Sequence, residues 1–342
     1  YTEVQLLEKA LEALHKATGI DFTIEGREKK FNNNRIADAI VRLVKDGLDQ
    51  VFVIEVKPRL TTATVGMAIN QLKEFPQKGI IVTDYVNPNM ADRLREKDVQ
   101  FIDIAGNAYL TAPNLFIFIK GNKPIELPKK GKTRAFQPTG LKVLFAFLCQ
   151  PKLVNAPYRE IAYKAQVALG TVGWVLTDLR ETGFVIELGR RGRKLYNKKK
   201  LLDRWVEAYP ENLRPKLIAG GGRYKADRYD WWKFTTIEEY GAYWGGEVAA
   251  AKLTEYLKPQ IATIYTKDDP KELILENRFL KDPEGNVEIL KVFWEFKYDW
   301  NYRDLVPPLL IYADLIATGD DRNLETAKII YEREIARYIR ED

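Results

Sequence analysis

The run Val51-Phe-Val-Ile-Glu-Val-Lys57 constrains the fold more than any other segment. Its β-branched and aromatic residues mark a strand, and a strand this apolar is buried on both faces of a sheet. Side chains alternate along a strand, so Glu55 and Lys57 point the same way. A charge at the end of such a strand is costly unless it is paired or used. The neighbouring sequence alternates strands with helices. Residues 2–17 place Val4, Leu7, Leu11 and Leu14 at the spacing of one helix face. A short strand is expected over 21–24, and residues 35–44 alternate as a strand that contains Asp38. Turn residues at 45–50 then join it to the 51–57 strand as an antiparallel hairpin. Helices are expected over 64–74 and 88–97, strands over 79–83 and 99–104, and extended apolar sequence over 109–119. Asp103 with Gly106-Asn107 reads as a hairpin turn with an Asx-type hydrogen bond, or as a loop at the edge of a site. The whole predicts an α/β architecture, a mixed sheet with flanking helices.

Asp38 lies 17 residues before Glu55. Two carboxylates and a lysine at adjoining strand ends can bind one divalent cation and hold a nucleophilic water beside it. Oxygen ligands without His or Cys suit Mg²⁺ or Mn²⁺. The cation lowers the pKa of the water, and the lysine stabilises the charge that develops on a phosphate. Asp38, Glu55-Val56-Lys57 on the next strand and Gln71 on the next helix together resemble the PD-(D/E)xK restriction-endonuclease-like superfamily. The resemblance implies metal-ligand roles for Asp38 and Glu55, the catalytic lysine role for Lys57, and a Gln71 that faces the site. Asp38 follows Ala37, where many members carry proline. An acidic residue of the first helix sometimes completes such a site, and Glu3, Glu8 and Glu12 are all open. Folds of this kind also serve as structural or DNA-gripping relics.

Composition narrows the chemistry. Among 342 residues there is one cysteine, Cys149, and one histidine, His15. That excludes an internal disulfide, a cysteine-based zinc site and His-rich metal chemistry, and the lack of disulfides predicts a cytoplasmic protein. The 7 Trp, 18 Tyr and 15 Phe run along the whole length, which excludes long disorder. No apolar run reaches the roughly 18 residues of a spanning helix. Charge is uneven. Residues 120–200 hold 18 Lys and Arg against 5 Asp and Glu, while the rest of the chain is mildly acidic. A basic centre predicts a polyanionic partner. Four segments follow: a first domain over 1–120, a basic linker rich in Gly and Pro over 121–134, a central domain over 135–210, and a last domain over 211–342.

The central segment reads as three helices, over 141–148, 158–166 and 172–182, with a break at Gly170-Thr171. Gly183 caps the last helix. Strands over 184–188 and 194–197 then flank the basic turn Gly189-Arg-Arg-Gly-Arg193. This is the order of a winged helix-turn-helix, whose third helix enters the major groove. Arg190, Arg191, Arg193 and Lys194 at the wing tip are placed to reach phosphates. Thr171, Trp174 and Thr177, with Asp178, lie on or near the polar face of the third helix, and Trp174 can equally be core. Arg159 and Lys164 of the second helix complete the expected DNA-binding set.

Over 216–342 strands are expected at 216–219, 260–265 and 287–296, and helices at 237–257, 305–317 and 321–340. Gly220-Gly-Gly222 can cradle a phosphate but lacks the following Gly-Lys of a P-loop, which favours a plain turn. The stretch from Pro307-Pro-Leu-Leu-Ile-Tyr-Ala-Asp314 to Leu-Glu-Thr-Ala327 resembles the C-terminal part of AbiEi-type antitoxins, transcriptional regulators of type IV toxin–antitoxin systems. With the winged helix, the resemblance spans about 140–342. It implies operator binding, autoregulation and a nucleotidyltransferase-like toxin partner. Usual members lead with the winged helix, whereas here it is internal. The expectation is a DNA-binding regulator or antitoxin with a nuclease-like first domain. The alternative is a Mg²⁺-dependent endonuclease targeted by its winged helix. The expected partners are duplex DNA, the toxin and a second copy of the chain, with no membrane. A protein-interaction scaffold fits the basic centre poorly.

Overall fold

Helix α1 (Glu3–Thr18) buries Leu6, Leu7, Ala10 and Leu14. That stripe is rotated from the expected one, for Val4 is exposed and Leu11 only partly buried. The computed structural model describes residues 3–30, 36–45, 47–60, 62–73, 75–123 and 134–339. The chain divides into two units, Tyr1–Lys129 and Lys130–Asp342. Most of the expected linker, 124–133, lies outside the described residues.

In the first unit seven strands follow chain order across one sheet: β1 (Phe22–Lys30), β2 (Ile36–Lys45), β3 (Leu48–Val56), β4 (Lys78–Thr83), β5 (Gln100–Asp103), β6 (Ala108–Ala112) and β7 (Leu115–Ile119). The edges are antiparallel and the centre β3–β4–β5 is parallel. Helices α2 (Thr62–Leu72) and α3 (Pro88–Glu96) make the parallel crossovers that a two-residue turn cannot. Alternation along β3 splits the core. Phe52, Ile54 and Val56 pack with α1, whereas Val53 packs with Ala68 and Leu72 of α2 and Leu94 of α3. The first strand runs to Lys30, well beyond the expected 21–24, because it has a full-length partner in β2.

The second unit begins with α4 (Pro138–Cys149), α5 (Tyr158–Lys164) and α6 (Leu169–Glu181), followed by the antiparallel hairpin β8 (Val185–Glu187) and β9 (Arg193–Leu195) and by α7 (Lys198–Ala208). Then come β10 (Ile218–Lys225), β11 (Ala242–Gly245), α8 (Gly246–Thr254), β12 (Ala262–Thr266), α9 (Lys271–Glu276), β13 (Leu280–Lys281) and β14 (Val287–Lys291). Helices α10 (Pro308–Thr318), α11 (Asp321–Ile330) and α12 (Ala336–Ile339) close the chain. The five strands pair in the order β11-β12-β14-β10-β13.

Three expectations change here. The helix expected over 237–257 is a 3-10 turn, then β11, then α8. Gly241 has φ +61°, and the ring of Tyr265 comes within 2.5 Å of where a Cβ at Gly245 would sit, so glycine breaks the run twice. The strand expected over 287–296 ends at Lys291. Phe293 and Trp294 are buried beyond it and pack on Phe145 of α4, with ring centroids at 4.9 and 5.5 Å. The last expected helix is split by a π-type turn at Tyr331–Ile335.

The segments 135–210 and 211–342, expected as separate domains, share one core. Trp205 of α7 stacks between Phe145 and Tyr209, at 5.5 and 4.9 Å, and donates to the Leu141 carbonyl at 2.8 Å. Tyr209 then reaches Tyr265 of β12 at 2.5 Å, hydroxyl to hydroxyl. Both hydroxyls bond the buried Asp314 of α10, at 3.1 and 2.9 Å for their closest oxygens. Arg214 holds Asp314 through Nε at 3.1 Å and grips Glu288 of β14 with two bonds of 2.8 and 2.6 Å. Burial pushes the Asp314 carboxyl up, and Arg214 pulls it back down.

Candidate functional site

Two places gather the expected residues. In the first unit, β2 and β3 pair with Ala39 opposite Ile54 and Ile40 opposite Val53. That pairing ends one step short of Asp38, whose link to the end of β3 is a hydrogen bond. Glu55 shares a face of β3 with Val53, on which α2 packs. Glu55 and Lys57 are each 6% exposed and form an ion pair of 2.9 Å. The Lys57 backbone N–H donates to the Val82 carbonyl at 2.8 Å, fixing the strand end. Asp38 Oδ2 accepts the Val56 N–H at 2.7 Å. Burial, and next the charge of Glu55, push the Asp38 carboxyl up to about 7. Glu3 raises it too. That distinguishes Glu3 from the other two open candidates of α1. Glu8 is spent on Arg27 and Glu12 on Lys16, each at 2.6 Å. Gln71 is half-buried on α2, and its Oε1 is buried without a hydrogen-bond partner. Among the described residues no three His, Cys, Asp or Glu side chains gather to hold a metal.

Asp103 is a turn-former. Its carboxylate accepts from the N–H groups of Val86, Ala105 and Asn107 and from the Asn107 side chain, all at 2.8–2.9 Å. Gly220-Gly-Gly222 lies within β10, where pairing with β14 shifts register, and the Gly220 carbonyl takes the Tyr224 hydroxyl.

In the second unit α6 starts at Leu169, three residues before the expected 172, so the break at Gly170-Thr171 is absent. Its inner face therefore begins earlier, with Thr171, Val172, Val175, Leu176 and Leu179. Thr171 is only 7% exposed and drops out of the DNA-binding set. Trp174, at 52%, and Thr177 are exposed. Arg190, Arg191 and Lys194 are exposed around the hairpin tip, and Arg159 is exposed on α5. Arg193 is half-buried, its guanidinium 5.6 Å from the Tyr158 ring centroid. Lys164 is half-buried too, paired with Glu160 at 2.9 Å, so it is not a free contact. Asn155 clamps the hairpin. It accepts from the Arg193 N–H at 2.6 Å and donates to the Arg193 carbonyl at 2.7 Å. The neighbouring Gly192, at φ +84°, leaves that amide the room a Cβ would take.

Sequence reasoning missed Arg134, assigned to the linker. It begins the ordered turn Arg134–Phe136 and lies 4.7 Å over the Trp174 ring. It also missed Arg180, which bonds Glu187 of the hairpin at 2.9 Å and so ties α6 to β8. Neither contact leaves a local sequence signal. The turn before α6 is held from afar: Gln166, at φ +50°, donates to Glu295 at 3.3 Å, and the Glu295 N–H donates to the Lys164 carbonyl at 2.8 Å.

Residues 194–336 match the family model described as transcriptional regulator, AbiEi antitoxin, type IV TA system. This segment resembles a type IV antitoxin regulator. The match runs from β9 to α12 and leaves out α4–α6 and the whole first unit, so it is narrower than the 140–342 read from sequence. No curated protein and no solved structure matches the chain. No helix among the described residues is long and apolar enough to cross a membrane.

Proposed function

We propose that this chain is a DNA-binding transcriptional regulator of the AbiEi antitoxin kind, in which α4–α6 and the β8–β9 hairpin act as a winged helix on duplex DNA. The observation that carries it is the exposed Arg190, Arg191 and Lys194 tip beside the exposed face of α6, on a segment whose continuation matches such regulators. The tip neutralises phosphates and fixes register, while α6 meets base edges. A second copy of the chain on a palindromic operator and a nucleotidyltransferase-like toxin are the further partners of this reading. Its test is the salt dependence of binding to the promoter of its own operon. Replacing Arg190, Arg191 and Lys194 together with alanine lowers the log–log salt slope by up to about 0.9 per lost contact. An unchanged slope removes the hairpin from the interface.

A second reading has its own observation. Asp38 Oδ2 accepts the Val56 N–H, its carboxyl feels the charge of Glu55, and Lys57 pairs with Glu55, a grouping that supports a PD-(D/E)xK nuclease. Two carboxylates suit Mg²⁺, which keeps waters and takes substrate phosphates rather than filling a protein cage. Such an ion would sit on Asp38 and Glu55 and supply an activated water. Asp38 must lose its proton first, so Mg²⁺ or Mn²⁺ affinity rises with pH through about 7. Lys57, released from Glu55, would then face the scissile phosphate. Plasmid left uncut by the wild type under both ions makes the first unit architectural. Cleavage abolished by Glu55→Gln, with DNA binding kept, makes it a nuclease.

A further inference from the structure

The solvent side of α6 is unusual for a helix meant to read bases. From Leu169 to Thr177 its sequence is Leu-Gly-Thr-Val-Gly-Trp-Val-Leu-Thr. Leu169 is 48% exposed and Trp174 52%. Thr171, Val172, Val175 and Leu176 face inward. No arginine, lysine, asparagine or glutamine stands on these two turns to make a bidentate bond to guanine or adenine. Arg180, one turn further on, is engaged by Glu187 and Thr177. Asp178 is engaged by the Ala135 N–H at 2.9 Å. Apart from Thr177 the exposed face is therefore apolar, and it is ringed by cations. Arg134 lies over Trp174, Arg193 over Tyr158, and Arg159, Arg190, Arg191 and Lys194 are exposed nearby in the chain. That ring argues for a polyanion as the occupant, not an apolar protein surface.

The glycines agree. A Cβ at Gly170 would meet nothing within 4 Å, and one at Gly173 only the Tyr158 ring at 3.7 Å. Packing does not demand glycine at either position, although glycine weakens a helix. By contrast, a Cβ at Gly140 of α4 would collide with the Arg134 and Ala135 carbonyls. Among the described residues nothing uses the room that the missing side chains leave on α6.

In the major groove only one base carries an apolar group, the C5-methyl of thymine. Resting on the DNA-binding reading above, we propose that α6 recognises its site through thymine methyls, packed by Leu169 and Trp174, with the cations supplying affinity but no sequence preference. The glycines let the helix backbone approach the groove floor closely enough for that contact.

The test uses the full chain. Duplexes are selected from a random pool, and the selected thymines are replaced one at a time by deoxyuridine, which removes the methyl and leaves every hydrogen-bonding group in place. Selected sites are expected to carry conserved thymines, and each recognised methyl removed is expected to weaken binding roughly three- to fourfold, the worth of one buried methylene-sized group. The double variant Leu169→Ala, Trp174→Ala is expected to treat thymine and deoxyuridine alike. Both residues are exposed, and circular dichroism and the unfolding midpoint check that the variant folds. Equal affinity of the wild type for thymine and deoxyuridine duplexes overturns methyl readout while leaving DNA binding intact. A chain that binds no duplex even at low salt overturns both readings and assigns the face to a protein partner.

Discussion

Two buried ionic clusters, one in each unit, are built to opposite plans. Around Asp314 every group finds its complement. Two tyrosine hydroxyls and Arg214 converge on it, and Arg214 is also held by both oxygens of Glu288. Around Asp38 the match is incomplete. Lys57 answers Glu55, Asp38 receives one backbone N–H among the described residues, its carboxyl is driven up to about 7, and the nearby helix α2 carries the orphaned Gln71 oxygen. A satisfied network holds elements together. An unsatisfied one at the end of two strands stores unfavourable charge until something arrives to use it.

The largest expected effect breaks the satisfied cluster. Asp314→Ala strands Arg214 and two hydroxyls in the core and costs about 3–5 kcal/mol in denaturant unfolding of the second unit. A cost near zero would put the two clusters on the same footing. The next tests the other cluster by its pH dependence. Burial raises the folded Asp38 carboxyl from its ordinary 3.8 to about 7, so the native state holds the extra proton between those values. Its contribution is full below about pH 4 and is lost as pH rises through 7, by about 1.4 kcal/mol per pH unit within the window. Asp38→Asn keeps an acceptor for the Val56 N–H, so the variant should be more stable than the wild type at pH 8 and equal to it near pH 4. Matching pH profiles for the two proteins would show Asp38 to be an ordinary carboxylate.

A smaller pair of changes sharpens the contrast. Tyr209→Phe removes a hydroxyl with two partners and should cost about 1–3 kcal/mol, whereas Gln71→Leu removes an oxygen with none and should cost nothing or stabilise by about 1 kcal/mol. Thermal unfolding of the two variants decides it. The smallest change addresses the exposed face. Gly173→Ala should raise stability by about 1 kcal/mol and still weaken DNA binding, an opposition of signs that a merely structural glycine would not give.

The first unit was legible because its information is local. The hairpin, the alternation of Val51–Val56 and the two crossover helices are each written within a few dozen residues. The Asp314 cluster was not, since Tyr209, Tyr265 and Asp314 are separated by 56 and 49 residues and none sits in a pattern. Thr171 misled because it was placed in a break before the helix, whereas inside α6 it lies one turn before Val175 and shares its buried face. The helix expected over 237–257 misled because its glycines answer distant side chains, the Tyr265 ring and the Asp268 carboxylate among them, that no local window contains.

The aromatic column Phe293–Phe145–Trp205–Tyr209 bears on how this chain can be cut or recombined. It crosses the very point, near residue 210, where sequence punctuation suggests a seam. A fragment ending there would leave Phe145, Trp205 and Tyr209 facing water, so the three helices and the hairpin are not a cassette that can be grafted onto another protein. An exchange made instead between the two units, Tyr1–Lys129 and Lys130–Asp342, would keep this column whole.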